Sequence, residues 1–362
     1  MTSFELLIDG QFGSTGKGLF AGWLARHHNP DVLAMAPSPN AGHTLVDGDL
    51  RLVHKMLPLG VLSTNLRAIV LGPGSILNLN RLQAEIENLQ ELDLLGKHIE
   101  IFVHRNAAVV LPEHFEAEAN GGTAPGSTRQ GTGAAQAARI LRRPDHQNVI
   151  SEHQDHPVFE HLTMIGTPEL QRIYLSANRV QVEGCQGYSL SILHGMYPHV
   201  TCRDVTTAAL LSDCGVPMPS MRSMHVYGAF RTYPIRVANR PESGEWSGPT
   251  YSDSIEIDFS DLGVEQELTT VTKLPRRIFT FSENQAIEAC VQNRIDSAFL
   301  NFAQYPPDFA TLRDIWLRLN DAARVGFVGF GPSVSDVYRI GAPGIANDHL
   351  ESLYERYKRA SS

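Results

Sequence analysis

The chain has 362 residues, of which 42% are hydrophobic and 19% are charged, a composition that supports a large core. Its 30 basic and 39 acidic residues give a formal charge of −9, which argues against nucleic acid as a partner, although a local basic site could still bind phosphates. Without a Cys-x-x-Cys pair, a secretory pattern or an apolar run of roughly 20 residues, we expect a cytoplasmic protein with one domain over residues 1–362 and no membrane span.

Apolar stretches alternate with amphipathic ones along the chain and predict alternating strands and helices. The expected strands cover residues 4–8, 68–71, 99–103, 179–183, 298–302 and 325–328. The expected helices cover residues 19–28, 283–294 and 349–358, with another that begins near Asn80, carries Leu92 on its apolar face and is capped by Gly96. This alternation predicts an α/β fold with a mainly parallel central β-sheet flanked by helices.

Residues 13–18 give the strongest local signal for phosphate binding, in a P-loop-like turn between a strand and a helix. Their glycines let backbone N–H groups approach phosphate oxygens, the helix start adds partial positive charge, and Lys17 adds a full charge. The turn is not a strict Walker A motif, because Gln11 stands where the first glycine would be and Gly18 replaces the hydroxyl residue that binds magnesium. A turn that only packs the helix on the strand is the weaker alternative.

Other segments place polar groups in patterns that suit a small ligand. Residues 40–44 set a glycine and a histidine between polar residues, and residues 126–133 form a second phosphate-loop candidate. Gln186 follows a predicted strand and carries an amide that both donates and accepts. The basic residues 273–277 could capture a carboxylate. Each pattern alone is also compatible with a structural histidine, a solvated loop or a surface charge cluster.

Taken together, in order and spacing, these motifs resemble those of the adenylosuccinate synthetase family as far as about Pro332. The family's Gly-Asp-Glu-Gly-Lys-Gly corresponds to residues 13–18, its Asn-Ala-Gly-His-Thr to 40–44, its Glu-Gly-Ala-Gln-Gly to 183–187, and its His-Gly-x-Tyr-Pro-x-Val-Thr to 194–201. The resemblance implies that family's fold and a ligase. In such enzymes a nucleoside triphosphate phosphorylates the 6-oxygen of a purine monophosphate, and the amine of aspartate then displaces the phosphate.

Matched residue by residue, the family's motifs imply roles for positions of this chain. The triphosphate would contact Ser14, Thr15, Gly16, Lys17, Gly18, Gly42, His43, Thr44, Gln304, Gly331 and Pro332. The purine monophosphate would contact Ser14, Asn40, Ser127, Thr128, Gln186, Thr201 and, across a homodimer interface, Arg142. Aspartate would contact Thr270, Val271, Thr272 and Arg276, and Mg²⁺ would contact Ser14 and Gly42. The catalytic set would be Ser14, Lys17, His43 and Gln186.

Departures from the family pattern point to one branch. Ser14 replaces the family's catalytic aspartate, and Leu274 replaces an arginine near the ribose 2′-hydroxyl. Asn301 and Gln304 stand in the segment that otherwise reads guanine of GTP, and their amides would meet an adenine edge instead. The pattern resembles the phage-encoded branch, which condenses dGMP with aspartate using ATP or dATP in the synthesis of 2-aminoadenine DNA. The location would then be the host cytoplasm.

Two alternatives remain open. An ordinary adenylosuccinate synthetase would act on IMP with GTP, and the residues Ser14, Leu274 and Gln304 argue against it. A non-catalytic nucleotide-binding paralogue would explain the lost carboxylate at position 14. The retention of His43 and Gln186 argues against that second reading.

Overall fold

A ten-stranded sheet forms the centre of the computed structural model, which describes residues 2–120, 126–142, 148–218, 223–240, 244, 246–269, 273–341 and 346–361. The strands described there are β1 (Ser3–Asp9), β2 (Val32–Met35), β3 (His43–Asp47), β4 (Leu50–His54), β5 (Ala68–Leu71), β6 (Ile76–Leu77), β7 (Glu100–His104), β8 (Ala108–Val109), β9 (Leu162–Ile165), β10 (Arg179–Glu183), β11 (Met224–Arg231), β12 (Ile235–Arg236), β13 (Glu256–Ile257), β14 (Arg277–Phe279), β15 (Ser297–Asn301), β16 (Val325–Gly329) and β17 (Val337–Arg339).

The strand order of the large sheet is β17-β16-β15-β11-β1-β10-β2-β5-β7-β9. Neighbouring strands run parallel except for the pair β16 and β17 at one edge. Smaller sheets pair β3 with β4, β6 with β8, and β14 with both β12 and β13. The prediction of a mainly parallel α/β sheet is confirmed.

Helices cover both faces of the sheet, as expected for a parallel sheet whose strands are buried on both sides. The helices of the described residues are α1 (Lys17–His28), α2 (Leu79–Glu91), α3 (Pro112–Asn120), α4 (Thr132–Leu141), α5 (Thr167–Ser176), α6 (Thr207–Cys214), α7 (Glu283–Asn293), α8 (Phe309–Ala322) and α9 (Ala346–Ser361). Side chains of β1 alternate between the faces, so Leu6 joins the core beneath α5 to α9 and Leu7 joins the core beneath α1 and α2. No helix in the described ranges is both long and apolar enough to cross a bilayer.

Every strand predicted in the large sheet lies within one residue of its observed bounds. The predicted caps of α2 are wrong. The carboxamide of Asn78, not Asn80, caps its start by accepting from the backbone N–H of Arg81 at 3.0 Å. The helix ends at Glu91 rather than near Gly96, because Asp93 adopts a left-handed φ of 55° and turns the chain back. Leu92 consequently lies outside the apolar face and is 43% exposed.

The topology gathers the predicted motifs at one edge of the sheet. The glycine-rich turn follows β1, residues 36–42 follow β2, residues 184–187 follow β10, and residues 302–304 follow β15. Because these strands are parallel and adjacent or nearly so, their carboxyl ends meet at the same edge, where α/β proteins bind ligands.

Candidate active site

Adjoining cavities open at this edge, and ten of the predicted site residues line them. The larger cavity, of about 340 Å³, is lined by residues expected to hold the purine monophosphate: Asn40, Ser127, Thr128, Gln186 and Thr201. The smaller cavity, of about 140 Å³, is lined by residues expected at the triphosphate, the metal or aspartate: Ser14, Lys17, Gly42, His43 and Arg276. Phe12 and Gln186 belong to both walls, so the cavities form one continuous site.

The carboxylate of Asp9, at the end of β1, shapes the glycine-rich turn. Asp9 is fully buried and accepts hydrogen bonds from the backbone N–H groups of Gln11 at 2.9 Å, Gly13 at 3.2 Å and Thr15 at 3.4 Å, and from the Thr15 hydroxyl at 2.5 Å. Gly16 has a φ of 86°, a conformation that favours glycine. Thr15 and Gly16 thus define the turn, and their contacts with a triphosphate stay predictions.

Lys17 begins α1 and lines the smaller cavity. Its Nζ lies 3.6 Å from the Asp9 carboxylate and donates to the backbone carbonyl of Gln186 at 3.3 Å. Gly187 follows, and a Cβ at that position would lie 2.3 Å from the carbonyl oxygen of Gln11, so only glycine allows this approach. The turn and residues 183–187 therefore form one unit around the lysine ammonium group.

Paired histidines lie on the hairpin of β3 and β4. His43 and His54 stand opposite each other in the strand register, and both are buried. Burial lowers the pKa of His43 to about 3, and the nearby charge of Lys17 adds to the effect. Burial also lowers the pKa of His54 to about 4. Both imidazoles are therefore neutral near pH 7, and His43 can donate a hydrogen bond to a phosphoryl oxygen without carrying charge.

Side-chain hydrogen bonds of Gln186 connect the walls of the larger cavity. Its Nε2 donates to Asn40 Oδ1 at 2.6 Å and to Ser38 Oγ at 3.3 Å, and Asn40 Nδ2 donates to Thr201 Oγ1 at 3.5 Å. Gln186 Oε1 is buried without a hydrogen-bond partner among the described residues. Because an unpaired buried polar atom is costly, this oxygen is well suited to accept a hydrogen bond from a ligand.

The end of β15 corrects one expectation. Asn301 is buried, and its Nδ2 donates to the carbonyl of Thr15 at 3.2 Å. Its amide supports the glycine-rich turn and is not placed to meet an adenine edge. Gln304 is absent from the walls of both cavities, and its contact with an adenine edge stays a prediction; its Oε1 is buried and unpaired among the described residues. A hydrogen bond from the N–H of Ala303 to the carbonyl of Gly329, 2.9 Å long, brings residues 330–332 beside this segment.

The loop expected to bind aspartate is described only at its ends. The following predicted residues lie outside the described part of the chain: Thr270, Val271 and Thr272. The N–H of Thr269 donates to the carbonyl of Leu274 at 2.8 Å, and the N–H of Leu274 donates to the Thr269 hydroxyl at 3.0 Å. Leu274 and Arg276 line the smaller cavity. Burial lowers the pKa of Arg276 to about 10, although the nearby negative charge of Glu267 partly offsets the shift. Arg276 is therefore a cation at neutral pH.

Arg142 is set apart from the other predicted residues. It follows α4 with a φ of 52° and is exposed, and it is absent from the walls of both cavities described above. The preceding Ile140 and Leu141 are 65% and 58% exposed. The geometry therefore leaves the cross-subunit role of Arg142 a prediction.

Comparison with known proteins assigns the chain to a family. Residues 6–165 and 144–305 match the family model of adenylosuccinate synthetase. The chain belongs to the adenylosuccinate synthetase family. The N6-succino-2-amino-2′-deoxyadenylate synthase of Cyanophage S-2L is 55% identical to this family member over 357 residues, which cover 98% of this chain and 96% of that protein.

Solved structures agree with this assignment. The Cyanophage S-2L succinoaminodeoxyadenylate synthetase, bound to dGMP and to dATP as an energy donor, has a TM-score of 0.92 to this chain at 54% identity, over 99% of each chain. The fully ligated adenylosuccinate synthetase of Plasmodium falciparum has a TM-score of 0.73 at 16% identity, over 93% of this chain and 99% of that one, which shows the fold. The resemblance drawn from the motifs, including the branch, is confirmed.

Several residues of this adenylosuccinate synthetase family member were not predicted. Phe12 lines both cavities, and the guanidinium of Arg236 lies 4.4 Å from its ring centroid, so an aromatic face is available for a purine. The aromatic residue inside the glycine-rich turn was the available signal. Asp9 was also missed, although an acidic residue that ends a buried strand beside a glycine turn is a visible pattern.

Proposed function

We propose that this chain is a ligase that condenses dGMP with L-aspartate, driven by hydrolysis of ATP or dATP, to give N6-succino-2-amino-2′-deoxyadenylate, the corresponding nucleoside diphosphate and phosphate. The observation that carries the proposal is Ser14. It is exposed on the wall of the smaller cavity, at the family's aspartate position, while Lys17, His43 and Gln186 surround the same site. The name of the Cyanophage S-2L relative supports it, and the product would supply 2-aminoadenine for DNA.

The reaction divides into two displacements. The 6-oxygen of dGMP first attacks the γ-phosphorus of the triphosphate, so that a new P–O bond forms while the bond to the leaving diphosphate breaks. The N1 proton of guanine is lost in this step. The amine of aspartate then attacks C6, a C–N bond forms, and the C6–O bond breaks to release phosphate. The amine gives up its proton as the product forms.

Protein groups in the site match the charge that these steps develop. Lys17 supplies a cation beside the glycine-rich turn, and neutral His43 offers an N–H to the transferring phosphoryl group, as phosphoryl transfer requires. The carboxamide oxygen of Gln186 accepts from a donor on the purine. Arg276, on the wall of the smaller cavity, offers a guanidinium fork to a carboxylate of aspartate.

The donor set beside the turn suits Mg²⁺, which takes hard oxygen ligands and keeps several waters and phosphate oxygens. The Ser14 hydroxyl and the Gly42 carbonyl would hold the ion, since both residues are exposed on the wall of the smaller cavity. Within the described ranges, no group of three or more His, Cys, Asp or Glu residues could hold a metal, so the other ligands would be water and phosphate. When bound, the ion would neutralise charge on the phosphates.

Ser14 also explains the choice of purine. IMP and guanylate differ by the 2-amino group next to N1, and a serine leaves more room there than an aspartate. Its hydroxyl can accept a hydrogen bond from the 2-amino group or from N1–H. Leu274, on the same cavity wall, offers an apolar surface that favours a sugar without a 2′-hydroxyl.

The proposal includes a homodimer in the cytoplasm, with Arg142 of each subunit completing the other subunit's purine site. The exposed Ile140 and Leu141 beside it provide apolar surface of the kind that a subunit contact buries. Within a single chain Arg142 is exposed, which suits a residue that reaches a neighbouring subunit.

A specificity series tests the proposal. We expect dGMP to lead GMP, dIMP and IMP in kcat/KM for aspartate-dependent phosphate release, and Ser14→Asp to shrink the dGMP-to-dIMP ratio by about tenfold or more. Ser176→Asp, an exposed position at the end of α5, is the control and should leave the ratio unchanged. A preference for IMP with GTP would establish the ordinary synthetase instead, and binding of nucleotide without turnover would establish a non-catalytic paralogue.

A further inference from the structure

Arg231 connects segments of the active site that are far apart in sequence. It is the last residue of β11, and its side chain is fully buried. One guanidinium nitrogen donates to the carbonyl of Ser14 at 3.4 Å and to Glu267 Oε2 at 3.3 Å, and the other pairs closely with Glu267 Oε1. The guanidinium carbon also lies 3.8 Å from the centroid of the Phe302 ring.

The backbone of Arg231 is fixed as firmly as its side chain. Its N–H donates to Gln11 Oε1 at 2.9 Å, and its carbonyl accepts from Gln11 Nε2 at 3.1 Å. Gln11 belongs to the glycine-rich turn, and its own N–H donates to Asp9. The guanidinium is therefore anchored at its base on the turn that faces the triphosphate.

Glu267 connects Arg231 to the loop that is expected to bind aspartate. The hydroxyl of Tyr305 donates to its carboxylate at 2.9 Å, and the N–H of Arg276 donates to its backbone carbonyl at 2.8 Å. Burial alone would raise the pKa of Glu267, but the charge of Arg231 and hydrogen bonds from Arg231 and Tyr305 hold it below its usual value. Glu267 is consequently ionised at neutral pH, and the pair is a charged one.

A buried ion pair of this kind is weak evidence for a stabilising role, since the cost of desolvation offsets much of the attraction. Its geometry is more informative. Arg231 contacts the glycine-rich turn through the carbonyl of Ser14 and the segment after β15 through the ring of Phe302. Its partner Glu267 lies in the loop that also holds Arg276 and accepts from Tyr305, which belongs to the segment of Gln304. A ligand that fixes the conformation of one of these three segments therefore affects the other two through the buried side chain of Arg231.

We propose that Arg231 is a positioning residue that couples the binding of aspartate to the binding of the nucleoside triphosphate. The inference rests on the proposed function and deepens it, because it states that the two substrates bind interdependently. Coupling of this kind is reciprocal, so each ligand strengthens the binding of the other by the same factor.

Calorimetry with the full chain tests the coupling without turnover. L-aspartate is titrated with dGMP and Mg²⁺ present, with and without the β,γ-methylene analogue of ATP. In the wild type we expect the analogue to raise the affinity for aspartate by about tenfold, and in Arg231→Met by less than about twofold. Arg231→Lys keeps the charge but cannot span both partners, so it should recover only part of the effect. Arg172→Met, at an exposed arginine on α5, should behave as the wild type.

Each outcome decides the question. Equal aspartate affinity with and without the analogue in an active wild type would overturn the coupling and leave the proposed function standing, whereas absence of dGMP-dependent turnover would count against the function itself. A folded Arg231→Met with wild-type coupling and only a lowered melting temperature would reduce Arg231 to a structural role. If that variant does not fold, Tyr305→Phe removes a single hydroxyl from Glu267 and should lower the coupling by about threefold; unchanged coupling there would overturn the inference.

Discussion

Lys17 places a positive charge where the glycine-rich turn meets the smaller cavity. Removal of its ammonium group leaves Asp9 with its backbone N–H donors and the Thr15 hydroxyl, so the turn should survive. We expect Lys17→Ala to lower kcat about a thousandfold with an unchanged circular dichroism spectrum. Lys97→Ala, at an exposed position, is the control. A near wild-type rate of aspartate-dependent phosphate release would remove this turn from the active site.

Glu183 gives the folded state its own pH dependence. It accepts hydrogen bonds from the N–H groups of Leu59 and Gly60, and burial raises its pKa to about 7. Because this value exceeds that of the unfolded chain, the folded state holds the proton more tightly. The resulting stability is fully present below about pH 4.5 and is lost as the pH rises through about 7.

Unfolding experiments between about pH 5 and pH 8 test this effect. Compared with Glu183→Gln, the wild type should lose free energy of unfolding as the pH rises, by at most about 1.4 kcal/mol per pH unit. Glu116→Gln, at an exposed position on α3, should keep the wild-type slope. Parallel curves for the wild type and Glu183→Gln would contradict the raised pKa.

At the scale of the element, we expect the segment after β15 to select the nucleotide base, because Gln304 offers a buried carboxamide oxygen without a partner among the described residues. Such an oxygen can accept a hydrogen bond from the 6-amino group of adenine, whereas guanine is best recognised by a carboxylate that accepts from both N1–H and the 2-amino group. We expect ATP and dATP to exceed GTP in kcat/KM, and Gln304→Asp to reduce that preference by about tenfold. Gln90→Asp, on an exposed face of α2, should change nothing. A wild-type preference for GTP would refute this role.

At the scale of the whole molecule, the site is expected to be complete only in a dimer. When Arg142→Ala and Lys17→Ala subunits exchange freely, half of the dimers are mixed, and each mixed dimer has one site with both lesions and one with neither. We expect recovery of about a quarter of the wild-type activity. Continued inactivity in a well-exchanged mixture, or a fully active monomer in ultracentrifugation, would contradict the shared site.

Strands and local motifs could be predicted because their causes lie within a few residues. The stretch 68–71 is apolar throughout, as expected for β5, which is buried on both faces. The glycines around Lys17 indicate a turn regardless of how the rest of the chain folds. The end of α2 could not be predicted, because it depends on a left-handed Asp93 rather than on the available glycine.

The polar framework of the site could not be predicted for a different reason. Arg231, which pairs with Glu267, meets Ser14 only because β11 pairs with β1 in one particular register. Asn301 reaches Thr15 because β15 follows β11 in the sheet. Such long-range contacts depend on the order of the strands in the sheet, and the residue pattern of a single segment does not specify that order.

The position of β1 in the sheet has a consequence for biosynthesis. Although β1 precedes the other strands of this sheet in the chain, its neighbours are β10 and β11, so it has no partner in the sheet until residues up to 183 have been made, and no second partner until residues up to 231 have been made. The glycine-rich turn therefore acquires its final shape late, when a long loop of chain has been closed, and pairings between such distant segments form slowly. Until then the apolar β1 is exposed to association with other chains and to chaperones.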